Sequence, residues 1–116
     1  MSEQEIPLYD FVETAAFAAQ LEHHASLDTL FAIQADLLLD PTRWPMVKGT
    51  GGARKGRIAV PDSSHGKSGG LRYLYLFLEH RGHIYLLYLF AKNEQANLTD
   101  AQKKKIAKWV EAIKAE

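Results

Sequence analysis

Lys55, Arg57, Arg72 and Lys92 are the side chains with the most chemistry to offer. In "KGRIAV", residues 55–60, strand alternation puts Lys55, Arg57 and Ala59 on one face and Gly56, Ile58 and Val60 on the other. Core packing takes the isoleucine and the valine, so the two cations share a surface of the sheet. Arg72 opens the next long strand and Lys92 closes the last one. If these strands are neighbours, the four cations line one concavity, with Arg54 and Lys67 on bordering loops and Tyr73, Tyr75 or Tyr88 available for stacking. A cluster of this kind suits RNA cleavage by transesterification. There the 2′-hydroxyl attacks the adjacent phosphorus, and negative charge grows on the phosphoryl oxygens and the leaving 5′-oxygen. Arginines stabilise that charge bidentately, and a lysine whose pKa is depressed among other cations can move protons. The plainer alternative is a set of solvated surface bases, or a positive patch that holds an acidic partner.

Other chemistries find less support. The chain has no cysteine, which excludes disulfides, thiolate metal sites and a cysteine nucleophile. His80 and His83 flank a turn without an evident third ligand. The adjacent His23 and His24 point about 100° apart on a helix and do not readily share one metal. "HGKS" at residues 65–68 resembles part of a nucleotide-binding loop, but Pro61 stands where the required glycine would be, and a strand pattern rather than a helix follows. No serine is paired in sequence with an evident base and acid. No metal and no cofactor are expected.

The elements that must position these cations belong to one domain, residues 1–116, with 47% hydrophobic and 24% charged residues. Its formal net charge of zero hides a segregation along the chain. Residues 1–42 carry eight acids and no Lys or Arg, hence −8; residues 43–72 carry seven bases against Asp62 alone, hence +6; residues 73–116 carry seven bases and five acids, hence +2. Salt screens charges beyond roughly 8–10 Å, so the middle segment can attract an anion although the whole molecule is neutral. Neither a leader segment nor a membrane-spanning run is evident, which makes a cytoplasmic location and no membrane partner the expectation.

"IPLYDFVET" reads as a first strand, and Thr14 as the cap of a helix carrying Phe17 and Leu21 on one face. Ser26 is placed to cap a second, neighbouring helix whose Leu27, Leu30, Phe31, Ile33, Leu37 and Leu38 make a wide apolar face, and "DPTRWP" ends it. After a glycine-rich connection and the basic strand come "PDSSHGKSGG", a loop, and then "LRYLYLFLEH" and "HIYLLYLFAK", joined at Arg81-Gly82 as a hairpin. Both strands are apolar on both faces and should be central. Thr99 and Gln102 form a capping box for a last helix with Ile106, Trp109, Val110 and Ile113 as its apolar stripe. The sum is an α+β domain of order β-α-α-β-β-β-α with a small, mostly antiparallel sheet, two N-terminal helices and a C-terminal helix.

The run "GTGGARKGRIAVP…GKSGGLRYLYLF…GHIYLLYLFAKNEQANLT", with "FVETAAF" upstream, resembles the RelE/HigB-type toxins of type II toxin–antitoxin modules over about residues 8–112. The resemblance implies the same fold, a RelE-like toxin domain. It also implies an mRNA interferase: a ribosome-dependent endoribonuclease that cuts messenger RNA in the decoding site and stops translation. The implied partners are the ribosome and messenger RNA, a cognate antitoxin, and operator DNA only through that antitoxin. Carried over, the family's catalytic cations fall on Lys55, Arg57, Arg72 and Lys92, with Arg57 and Arg72 stabilising the phosphate and Lys55 or Lys92 moving protons; Lys48, Arg54 and Lys67 would position RNA. The pattern departs at its C-terminal portion, where Asn93 follows Lys92 and no tyrosine occurs after Tyr88, so Glu94 becomes a further candidate for proton transfer or for orienting Lys92. The competing expectations on this scaffold are a ParE-like, non-enzymatic inhibitor of DNA gyrase and an inactive toxin acting as a binding module.

Overall fold

The computed structural model describes residues 8–59, 70–91 and 97–116. In chain order its main elements are β1 (Asp10–Glu13), α1 (Ala15–His24), α2 (Leu27–Leu39), β2 (Arg54–Ile58), β3 (Leu71–Leu78), β4 (His83–Ala91) and α3 (Asp100–Ala115). The strands form one sheet in the order β1-β4-β3-β2, with β1 parallel to β4 and the other pairs antiparallel. This is the α+β order expected from the sequence, and the two aromatic-rich strands are the central ones.

Both faces of β3 and β4 are buried because helices cover each side. Leu71, Tyr73, Tyr75, Ile84, Leu86 and Leu89 share a core with Phe17 and Leu21 of α1 and Leu30, Ile33 and Leu37 of α2. Leu74, Leu76, Leu78, Tyr85, Leu87 and Phe90 share another with Ile106 and Val110 of α3. Fully burying one such side chain is worth about 1.5–3 kcal/mol, more than a typical helix cap, so these two cores hold the helices in place. Alternation fails once. The ladder slips between Leu74, opposite Tyr88, and Tyr75, opposite Leu86. Leu87 is thus a bulge, and it puts Leu87 and Tyr88 on the same side of the sheet before Leu89 returns to the other.

The helix starts are fastened by their caps. Thr14 Oγ1 accepts from the Phe17 N–H at 3.2 Å and lies 3.1 and 3.0 Å from the Leu86 and Leu87 carbonyls, to which its hydroxyl donates, so α1 begins on β4. Gln20 Oε1 accepts from the Leu89 N–H, which lies past the end of β1 and has no strand to pair with on that side. Thr99 and Gln102 form the expected reciprocal capping box of α3.

Several details differ from the sequence expectation. The described first strand is only Asp10–Glu13. Glu79, His80 and Arg81 form a 3-10 turn that closes on Gly82 at φ +67°, a left-handed conformation suited to glycine. Ser26 sits at the start of α2, but its hydroxyl makes no capping bond; its carbonyl accepts from Thr29 and Leu30 instead. The wide apolar face of α2 is divided. Leu30, Ile33 and Leu37 are buried, whereas Leu27, Phe31 and Leu38 lie about 100° further around the helix and are exposed. The loop containing "HGKS" lies outside the described residues.

Candidate functional site

β2 lies at one margin of the sheet and pairs with β3 so that Arg57 stands directly opposite Arg72. Like charges placed opposite each other in a ladder are destabilising. Among the described residues no carboxylate is paired with either guanidinium. Burial, and then the charge of Arg57, hold the pKa of Arg72 below the usual arginine value. Both arginines open onto a cleft of about 510 Å³, whose other wall is Asp36 of α2 and Arg43 and Trp44 from the segment that follows that helix.

Asp36 organises that wall. Its Oδ2 accepts from the Trp44 indole N–H at 2.9 Å and from the Tyr73 hydroxyl at 3.1 Å, and its Oδ1 pairs with the Arg43 guanidinium. The guanidinium carbons of Arg43 and Arg57 lie 4.5 and 5.7 Å from the centre of the Trp44 ring, within cation–π range. Arg54 supports the same segment from below, donating through Nη1 to the carbonyls of Thr42 at 3.0 Å and Trp44 at 2.6 Å. Gly56 makes the packing possible. A Cβ at that position would lie 2.4 Å from Tyr73 Cζ and 2.9 Å from Trp44 Cδ1. With three guanidinium groups and one carboxylate, the cleft is cationic. A phosphodiester in it would be met by Arg57 and Arg72 as bidentate donors.

The structure brings together some of the residues singled out above and leaves others apart. Arg57 and Arg72 share the cleft. Lys55 is half-buried opposite Leu74, on the same face of β2 as Arg57 by alternation, but it does not line the cleft. Lys48 is exposed in the turn before β2, next to Gly49, whose open side faces Lys103 of α3. Lys67, Lys92 and Glu94 lie outside the described residues.

The stacking role suggested for Tyr73 and Tyr75 is corrected: both rings are fully buried. The Tyr75 hydroxyl donates to the Pro41 carbonyl at 2.7 Å, and that of Tyr73 is taken by Asp36. Burial pushes Tyr75 up to about 12, and burial together with Asp36 pushes Tyr73 higher still, so both phenols stay protonated at neutral pH. Tyr88 is half-buried on the α3 side, in a smaller hollow with Leu98 and Trp109. Sequence reasoning missed Asp36, Arg43 and Trp44. The signal was there in one form: a tryptophan just after a helix stop, in a polar context, has to pack on something and satisfy its N–H.

Among the described residues the histidines build no metal centre. His83 Nδ1 lies 3.1 Å from the Tyr85 hydroxyl and its Nε2 lies 3.7 Å from Asp10, while His80 is exposed. Among the described residues no three His, Asp or Glu side chains converge on one point, and no described helix is long and apolar enough to cross a membrane.

Comparison with known proteins agrees with this geometry. The family described as the RelE toxin of the RelE/RelB toxin–antitoxin system matches residues 48–116, a segment that includes Arg57 and Arg72 but not Asp36, Arg43 or Trp44. A mutant of the E. coli toxin RelE, solved in the free state, is similar in fold at 13% identity with a TM-score of 0.56, over 77% of this chain and 88% of that one. A chain of the intact E. coli RelBE toxin–antitoxin complex is similar at 14% identity with a TM-score of 0.52, over 71% of this chain and 94% of that one.

Proposed function

The chain belongs to the RelE toxin family, and from that premise we propose that it is a ribosome-dependent endoribonuclease that cuts messenger RNA in the decoding site. The observation that carries the proposal is the Arg57–Arg72 pair, two guanidiniums set against each other at the edge of an open cleft at a cost in fold stability. A scissile phosphate offers the charge that would offset that cost. The reaction is a metal-independent transesterification: the 2′-oxygen bonds to phosphorus, the bond to the 5′-oxygen breaks, and the products are a 2′,3′-cyclic phosphate and a 5′-hydroxyl. Arg57 and Arg72 stabilise the charge that develops on the phosphoryl oxygens. Lys55 and Lys92 are the candidates for taking the 2′ proton and returning one to the leaving oxygen, with Glu94 as the alternative to Lys92. Lys48, Arg54 and Lys67 add to the positive field that receives RNA.

The charge segregation supports this assignment, since the +6 middle segment suits contact with ribosomal and messenger RNA while the −8 segment before it limits indiscriminate binding. Action on the ribosome implies a cytoplasmic protein. By analogy with the RelBE complex, a cognate antitoxin holds the toxin in check, and operator DNA is reached only through it.

The test is induction of the chain alone in a bacterium, with primer extension on ribosome-bound message. Growth arrest with new 5′ ends is expected, and Arg57→Ala or Arg72→Ala should each reduce cleavage by about 10²–10³-fold while the protein stays folded. Undiminished cleavage by both variants would remove the site assignment. Arrest with intact messages and inhibited DNA supercoiling would point to a gyrase inhibitor, and folded protein with no arrest to a binding module.

A further inference from the structure

We infer that the outward face of α2 is a docking surface for a cationic amphipathic helix of a protein partner. Leu27, Phe31 and Leu38 are 63%, 57% and 45% exposed, and Leu39 at the end of the helix is 87% exposed. Positions 27, 31 and 38 follow one another at steps of four and seven, which is the spacing of a single helix stripe. Ala35, exposed between them, continues it. The stripe lies about 100° around the helix from the buried Leu30, Ile33 and Leu37, so the apolar surface of α2 is wider than the part the core covers. Eleven residues of α-helix span about 16 Å, enough for three turns of a partner helix. Single exposed leucines need no explanation, but a contiguous stripe does.

Charge decides what covers it. Exposed acids border the stripe at both ends, Asp28 next to Leu27 and Asp40 next to Leu39, within a stretch, residues 1–42, that contains no Lys or Arg. An RNA or an anionic lipid surface is repelled by such a border. A second copy of this chain would set the same acids against each other. A helix with leucine-type residues on one side and Lys or Arg flanking them matches the stripe in hydrophobicity and its border in sign. The inference concerns a face separate from the cationic cleft and stands whether or not that cleft cuts RNA.

The probe is a synthetic 20-residue helical peptide with a leucine seam and lysine flanks, labelled for fluorescence anisotropy, beside a twin with glutamate flanks. The lysine peptide should bind the full chain and slow amide exchange over residues 27–39. The glutamate twin should bind at least tenfold more weakly. Phe31→Gln with Leu38→Gln, two exposed positions whose change leaves the core intact, should weaken the lysine peptide at least tenfold with an unchanged circular dichroism spectrum. Absence of lysine-peptide binding would overturn the inference. So would equal binding of both peptides, undiminished binding by the double variant, or exchange protection confined to other elements. A dimer in sedimentation that the double variant abolishes would assign the face to self-association instead.

Discussion

Replacing Asp36 separates two things its carboxylate does, and the structure sets the size of each. In Asp36→Ala the Tyr73 hydroxyl, on a residue with no exposed surface, loses its acceptor, and the Trp44 N–H loses its own. A buried polar group left unsatisfied costs about 1–3 kcal/mol, and the half-buried Trp44 falls at the low end because water can reach it. The total is about 2–4 kcal/mol, and at about 4 °C per kcal/mol for a domain of this size Tm should fall by about 8–16 °C. Asp36→Asn behaves differently, because Oδ2 alone accepts from both Trp44 and Tyr73. An amide oxygen in that place keeps both bonds and gives up the pair with Arg43, whose side chain is 52% exposed. A partner that exposed is worth about 0–1 kcal/mol. The assay is thermal and denaturant unfolding of both variants and of a cycle with Tyr73→Phe, in which Asp36→Ala should cost at least about 1 kcal/mol less than in the parent. Equal losses for the asparagine and alanine variants, or a cycle without coupling, would refute the role given to Asp36.

Gly56→Ala should destabilise the protein by about 1–3 kcal/mol and weaken RNA cleavage at the same time, since its Cβ would meet Tyr73 and Trp44 at 2.4 and 2.9 Å; denaturant midpoints and message mapping check both. Alkaline pH should also destabilise the fold. Tyr73 and Tyr75 have pKa values raised above the ordinary 10 by burial, so between pH 10 and 12 the unfolded chain releases protons that the folded one keeps. Stability is therefore complete below pH 10 and declines above it by about 1.4 kcal/mol per pH unit for each tyrosine, which unfolding followed at several pH values, with Tyr75→Phe as the control, would measure.

The architecture was readable because its signals are local. The capping box at Thr99 and Gln102, the cap at Thr14 and the double-sided hydrophobicity of β3 and β4 each state their own structure without reference to distant residues. That Arg57 and Arg72 share one part of the sheet was also legible, from alternation and the adjacency of their strands, whereas the register that sets them directly opposite each other was not. What escaped was long-range. Asp36 meets Tyr73 across 37 positions, and no periodicity reports that contact. The same holds for the two faces of α2, because a run with leucine on every side does not say which side the sheet will take. The bulge at Leu87 hid in a strand whose neighbours are apolar in both directions, so a slip in register left no mark on the pattern.

The position of β2 has a consequence for anyone handling the protein. Residues 45–47 run alongside its first half, through the Met46–Arg54 bridge and the Val47 and Lys55 amide bonds, and among the described residues Gly56–Ile58 are left at the rim. Unpaired rims of sheets invite strands from other molecules, and charged side chains are a common means of turning them away. Arg57 is thus placed to act as a gatekeeper against aggregation, apart from the phosphate-binding role proposed for it. A variant that loses this arginine is the one most prone to precipitate, so soluble yield has to be matched before its toxicity is compared with that of the parent.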